Sequence, residues 1–217
     1  MRIVVCIKQV PDPEGPRDAY CINATDMTVE PRGIPPVLSL FDENALEAAL
    51  RIRDQHPDAG ITALSIGRRI ANTVMLKAMA AGADALIKVE DEALDPTTLD
   101  SRITAEVLAA ALRKLGFDLI VVGRQAADWN DGQVGIGVAH LLDLPVVTLV
   151  RGVRINGHEL TIERMRPQGV EVVRTSLPAL IMVGNEGGEL RYPSMIQRRE
   201  AKNKPVTAWS LADIGIA

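Results

Sequence analysis

The sequence predicts an α/β fold, an open, mostly parallel, doubly wound sheet with a short antiparallel extension and a C-terminal arm. Three observations carry this. Continuous apolar runs recur, as in Ile3-Val4-Val5-Cys6-Ile7, and strands covered on both faces read that way, whereas strands with one wet face alternate. Helical patterns separate the first four runs, which is the rhythm of βαβ units. Beyond Pro145 the runs become short and follow one another without helices, and a hydrophilic stretch with a basic set comes after them.

The first strand is expected over Ile3–Ile7, with further buried strands at Ile61–Ile66, Ala85–Val89 and Asp118–Val122. A first helix is expected near Asp42 as N-cap. In it Leu46 and Leu50 face the sheet, one turn apart, while Glu47 and Arg51 pair on the outside. A second, about Arg69–Ala81, stops at Gly82, where the absence of Cβ permits a backbone that other residues avoid. The third has the plainest pattern: Leu99, Ile103, Val107 and Ala111 recur every fourth residue, Thr97 or Thr98 can cap the start, and Gly116 ends it. A fourth runs from about Gln133 to Leu142 and halts before Pro145. Val146–Val150, Val153–Ile155, Leu160–Ile162, Val170–Val173 and Leu180–Val183 then read as a meander. The domain is placed at 1–183. The stretch Gly184–Pro205, with Arg198, Arg199, Lys202 and Lys204, reads as an arm, and the tail from Val206 to Ala217 carries Trp209, Leu211 and Ile214 to dock it.

Composition narrows the function. The 217 residues hold 24 Lys and Arg against 28 Asp and Glu, a net charge of −4, so no whole-protein field attracts nucleic acid or anionic lipid. Two cysteines, Cys6 and Cys21, in a chain of this size fit reduced thiols and a cytoplasmic location. No apolar stretch approaches the ~18 residues a membrane span requires, so no membrane insertion is expected. His56, His140 and His158 are isolated from one another, and no nucleophile, metal-spaced or paired-carboxylate motif stands out. Catalytic residues are therefore expected to be none, and metal ligands likewise.

Ligands of open parallel sheets bind beyond the carboxyl ends of the strands, where loops and helix starts expose unpaired N–H groups. Three loops qualify: Cys6 to Asp12, Ser65-Ile66-Gly67, and Gly123-Arg124-Gln125-Ala126-Ala127-Asp128 continuing through Trp129-Asn130-Asp131-Gly132-Gln133-Val134-Gly135. The last, rich in glycine and amides and opening a helix, can wrap a phosphate with backbone N–H groups. It is neither a Walker A loop nor a GxGxxG fingerprint.

Several blocks together resemble the beta subunit of electron transfer flavoprotein, and the resemblance covers nearly the whole chain. They are Val4 to Asp12, Phe41 to Ala49, Ser65 to Gly67, Ala81 to Asp84, Gly123 to Asp128 with Gln133 to Gly135, Leu177 to Ile181, and Arg191-Tyr192 ahead of Lys202 to Pro205. The resemblance implies an adenine nucleotide-binding, Rossmann-like fold paired with an alpha subunit whose mobile domain carries FAD. It also implies an electron shuttle from flavoprotein dehydrogenases to a quinone or a ferredoxin- or flavodoxin-linked acceptor. The beta site would hold AMP or, in flavin-bifurcating members reduced by NADH, a second FAD. The flavin then supplies the redox chemistry, which accounts for the empty catalytic inventory.

Carried over by position, the nucleotide contacts would be Cys6 and Lys8, Ser39, Leu40, Phe41 and Asp42, and Ile66. The phosphate contacts would be Gly123, Arg124, Gln125, Asp128, Asn130, Asp131, Gly132, Gln133 and Val134. Phe41 would also sit near the partner's flavin. Met195, with Arg191 and Tyr192, would form the partner-binding surface, Met195 standing where the family has an anchoring leucine. The chain departs from the family at Ser39-Leu40, where Asn-Pro is usual, and at Arg166-Pro167-Gln168-Gly169, where acidic residues are usual. Gln133-Val134 leans toward the bifurcating pattern, while Trp129 adds bulk where that pattern has glycine, so AMP is placed ahead of FAD. The competing class is a free-standing nucleotide-binding regulator of the universal-stress type, which shares the βαβ logic and has no use for such an arm.

Overall fold

The computed structural model describes residues 1–25, 28–95 and 99–216. The chain begins with β1 (Arg2–Cys6), whose Ile3, Val4 and Val5 are almost wholly buried, as a continuous apolar run requires. Two short strand pairs that hydrophobic periodicity does not reveal follow. They are β2 (Gln9–Pro11), which pairs with β5 (Pro36–Leu38), and β3 (Tyr20–Asn23), which pairs with β4 (Thr28–Pro31). These three- and four-residue strands are too short to show a period.

Next come α1 (Leu40–Gln55), β6 (Gly60–Gly67), α2 (Asn72–Ala81), β7 (Ala85–Glu90), α3 (Ser101–Leu115), β8 (Leu119–Gly123) and α4 (Val134–Leu141). Helix α1 starts one turn earlier than the sequence suggests. Ser39 occupies the N-cap position, and Asp42 lies in the first turn with its carboxylate directed inward. Glu47 is also not on the outside: it is 4% exposed, although it does pair with Arg51. Helix α2 begins at Asn72 rather than Arg69 and ends at Gly82, whose φ of +143° is closed to residues with a Cβ at acceptable energy. Helix α3 is capped by Asp100, which accepts the Ile103 N–H at 2.7 Å; Thr97 and Thr98 lie outside the described residues. Ile103 is exposed while Val107, Leu108, Ala111 and Leu112 are buried. A strict every-fourth-residue stripe drifts by roughly 40° per step around a helix of 3.6 residues per turn, so its far end leaves the core face.

Beyond Pro145, the two predicted pieces at Val146–Val150 and Val153–Ile155 are one strand, β9 (Val146–Asn156). It forms an antiparallel meander with β10 (Glu159–Arg166) and β11 (Gly169–Ser176). The fifth piece does not extend that meander. Strand β12 (Ala179–Val183) runs parallel to both β8 and β9 and sits between them, all five of its residues buried. Its unbroken apolar run suits an interior position, whereas β11 at the sheet edge is largely exposed. Helix α5 (Met195–Ala201) is closed by a capping box between Ser194 and Gln197. Strand β13 (Val206–Trp209) then joins the main sheet alongside β7.

The nine-stranded sheet has the order β11-β10-β9-β12-β8-β1-β6-β7-β13. One core lies between it and α1 and α2, with Leu46, Leu50, Met75 and Met79 among its members. The other lies against α3 and α4 and includes Val107, Leu112 and Val138. No helix among the described residues is long and apolar enough to cross a membrane.

Candidate nucleotide site

From β1 the chain crosses through α1 to β6 and on to β7, then returns through α3 to β8 on the other side of β1. Neighbours β1 and β8 thus send their connections in opposite directions, and the crevice beyond their carboxyl ends is where a doubly wound sheet takes a ligand. The loops after β1 and β8 converge there on the start of α1. Lys8 Nζ reaches both carboxylate oxygens of Asp128, at 3.0 and 2.7 Å. The Lys8 backbone N–H donates to Asp42 Oδ2 at 2.8 Å, and the Ser39 N–H donates to the Lys8 carbonyl at 2.9 Å. Ser39 Oγ accepts the Ala127 N–H at 3.4 Å.

Gly123 is where β8 passes closest to α1. A Cβ there would lie 2.4 Å from Asp42 Oδ1 and 2.7 Å from the Phe41 carbonyl carbon, distances that no real side chain tolerates. Burial pushes Asp42 up to about 7, against the backbone hydrogen bonds from Lys8 and Gly123, the Lys8 charge and Ser39, all of which favour its ionised form. Burial likewise raises the Cys6 thiol, with the Asp42 charge adding to it, so Cys6 packs as an inert apolar group in the core on the α3 side.

The loop from Gly123 to Gln133 is held both by its own polar groups and by its neighbours. Gln125 Nε2 donates to Asn130 Oδ1 at 2.8 Å, the Asn130 N–H donates to the Ala126 carbonyl, and Asn130 takes a φ of +57°. Asp131 accepts the Ser101 hydroxyl at 2.8 Å from the start of α3. Both acidic groups of the loop therefore have protein partners. Arg124 differs: its guanidinium lies 4.8 Å from the Phe41 ring centre, and its Nε is buried without a hydrogen-bond partner among the described residues. With Gln125, Gly132, Ile136, Thr148, Leu149 and Met182 it lines an open cavity of about 340 Å³ at the carboxyl ends of β8 and β12 and beside the first half of β9. A larger cavity, about 680 Å³, lies away from these loops, where residues 213–216 cross α3.

Of the sequence-predicted residues, Lys8, Ser39, Asp42, Gly123 and Asp128 meet through direct contacts, and Phe41 meets Arg124. Gln133 holds the N-cap position of α4 without a side-chain cap, and Val134 opens that helix. Leu40 is exposed, and Ile66, half-buried at the end of β6, packs against the α3-side core. Tyr192 and Met195 are 86% and 78% exposed on the arm, whereas Arg191 is turned inward onto Glu47 and Asp54. Two organising residues escaped sequence reasoning. Gln9 ties the loop after β1 to the start of α2, donating to the Arg69 carbonyl and accepting from the Ala71 N–H. Glu47 anchors the arm, and its place beside Arg51 at one helical turn carried only the signal of an ordinary surface pair.

Comparison with known proteins finds relatives along the whole chain. The family model described as the electron transfer flavoprotein domain matches residues 26–214. The electron transfer flavoprotein subunit beta of Clostridium acetobutylicum is 35% identical over 216 residues, covering 100% of this chain and 81% of the relative. Subunit CarD of the caffeyl-CoA reductase-Etf complex of Acetobacterium woodii is 35% identical over 218 residues, with the same coverage. Protein FixA of Azorhizobium caulinodans is 35% identical over 224 residues, covering 100% of this chain and 77% of its own length. The chain belongs to the electron transfer flavoprotein family and is beta-subunit-like.

Proposed function

We propose that this chain is the beta-type subunit of a heterodimeric electron transfer flavoprotein and that the crevice between β1 and β8 holds AMP. The observation that carries the reading is the convergence of the two loops on the start of α1, which leaves Arg124 with no carboxylate partner among the described residues, near the start of α4, where the side chain of the N-cap residue Gln133 does not cap the helix. That donor set fits a phosphate-bearing ligand: a guanidinium with no acidic partner among the described residues, a helix N-terminus and a loop whose own acids are already satisfied. Ser39 to Asp42 and Ile66 would border the nucleoside, and Gly123 to Val134 the phosphate.

FAD carried by an alpha-type partner supplies the electron-transfer chemistry. The beta chain holds and orients: Phe41 would face that partner's flavin, and residues 184–205 would form the docking arm, with Arg191, Tyr192 and Met195 in its recognition segment, while the tail after it is tied into the sheet through β13. The complex would take electrons from flavoprotein dehydrogenases and pass them to a quinone or a ferredoxin- or flavodoxin-linked acceptor in the cytoplasm. A second reading puts FAD in the same crevice, reduced by NADH. Gln133-Val134-Gly135 at the start of α4 favours it, while the bulk of Trp129 favours AMP.

Co-expression with an alpha-type subunit tests the proposal. A 1:1 yellow complex whose flavin is bleached by a flavoprotein dehydrogenase and its substrate is the expected result. A chain that stays monodisperse and indifferent to every alpha-type subunit offered would overturn it in favour of a free-standing nucleotide-binding regulator.

A further inference from the structure

We propose that Arg191 is a positioning residue, a clasp that holds the docking arm against α1 so that Tyr192, Met195 and Ile196 are presented in one fixed place. This rests on the reading of the arm as the docking segment.

Every donor group of Arg191 is engaged within the chain. Its backbone N–H and Nε donate to Glu47 Oε2 at 3.0 and 3.1 Å, and Nη2 donates to Glu47 Oε1 at 3.0 Å. Nη1 and Nη2 reach the two oxygens of Asp54 at 3.2 and 2.8 Å. Glu47 and Asp54 stand seven residues apart on α1, which is two helical turns, so both carboxylates fall on one face and one planar guanidinium spans them. Arg51 closes the group by donating to Glu47 Oε1 at 3.1 Å. Glu47 is almost wholly buried, so releasing Arg191 to meet a partner would leave a carboxylate in the interior with Arg51 alone to pair one of its oxygens.

Two further hydrogen-bonded ties hold the arm, beside the packing of Leu190 and Ala201 against the core. Asn44 Nδ2 donates to the Gly188 carbonyl at 2.7 Å, just before the clasp. At the far end Lys204 Nζ donates to the carbonyls of Met79 and Ala83 at 2.8 and 2.7 Å. Between these anchors α5 has only seven residues, too few to be stable as an isolated helix; it rests on α2 and buries Ala201 in the core, while Met195 and Ile196 in its first turn face outward. Tyr192, Met195 and Ile196 are 86%, 78% and 70% exposed there, and Arg198 lies over the Tyr192 ring at 4.6 Å. An apolar face this exposed on a short helix is useful to a partner only if its place is set in advance, because an arm left free would have to be ordered at the moment of binding.

The test uses the complex with its alpha-type subunit and the variants Arg191→Ala, Arg191→Lys and Asp54→Asn. The last removes a half-exposed carboxylate and so leaves folding intact. Two quantities are read: amide hydrogen exchange over residues 189–203, and the KM and kcat for a flavoprotein dehydrogenase reducing the complex. Arg191→Ala is expected to speed exchange in the arm by about tenfold or more and to raise the dehydrogenase KM by about tenfold with kcat little changed. Arg191→Lys, a point charge that cannot fork to both carboxylates, should fall between it and the wild type, as should Asp54→Asn. Unchanged exchange in Arg191→Ala overturns the clasp, and so does a raised KM with unchanged exchange, since that would mean Arg191 touches the partner itself. Faster exchange with an unchanged KM leaves the clasp standing and overturns instead the reading of the arm as the docking segment.

Discussion

Asp42 should remain protonated to near neutral pH, and replacing it with Asn should remove a pH dependence from the whole protein. Its carboxyl is enclosed beneath Phe41 and Gly123, and burial carries it from the ordinary 3.8 to about 7. The charged and titratable groups facing it are Cys6 from β1, Lys8 from the loop that follows, and Lys8's partner Asp128. Because the folded state holds this proton where the unfolded chain has lost it, the favourable contribution is complete below about pH 4 and is lost as pH rises through about 7. A difference of about 3 pH units at 1.36 kcal/mol each gives roughly 4 kcal/mol in all, or up to about 1.4 kcal/mol per pH unit on the rising side. Asp42→Asn keeps an oxygen that can accept from Lys8 or Gly123 but cannot ionise, so any cost of the substitution is the same at every pH and only the slope changes. Urea unfolding of both proteins at several pH values between ~4.5 and ~8 should show the wild type losing stability relative to the variant as pH rises. Infrared spectroscopy should find a protonated-carboxyl C=O band that titrates near 7 and is missing from Asp42→Asn. Parallel stability curves, or a band already absent at pH ~5.5, would refute the reasoning.

Gly123→Ala should push β8 away from α1 and cost about 1–3 kcal/mol by overpacking, with loss of bound nucleotide measured after gel filtration. Leu50→Ala removes a side chain with no exposed surface between α1 and the sheet and should cost about 2–5 kcal/mol in urea unfolding, with the same ligand content in the folded fraction. Asp100→Ala deletes the cap that accepts the Ile103 N–H and should cost about 1 kcal/mol, confined in amide exchange to the first turn of α3. Acid should open the arm. Burial raises Glu47, but the Arg191 hydrogen bonds and charge prevail and hold it below the usual carboxylate range; the Arg191 hydrogen bond holds Asp54 down as well. Their contribution is therefore complete above about pH 4.5 and is lost as pH falls through the lowered values, so exchange in 189–203, corrected for its intrinsic rate, should rise below about pH 4.

The parallel core was legible because burial on both faces writes itself into neighbouring residues: Val4, Ile61, Ala63, Leu64, Leu86, Ile87, Val89 and Leu119 to Val122 are apolar for the same reason that they are buried. Their order did not show where β12 inserts, because an apolar run of five residues reads alike whether it continues a meander or returns to the centre. The loops of the candidate site were legible as glycine- and amide-rich stretches after strands. What binds them together was not, since Lys8 and Asp128 are 120 residues apart and Glu47 and Arg191 are 144 apart. Asp42 shows the limit most clearly. An acidic residue near a helix start reads as a cap, and only the approach of Gly123 and the Lys8 N–H turns it inward.

The most direct test of the proposed function is to isolate the complex with its alpha-type subunit, denature it, and identify every released nucleotide by mass and ratio. One FAD and one AMP per heterodimer is the result expected if the crevice between β1 and β8 is a nucleotide seat in an electron-carrier subunit. Two FAD would contradict the AMP assignment and make that crevice a redox site; no complex and no flavin would contradict the electron-carrier account itself.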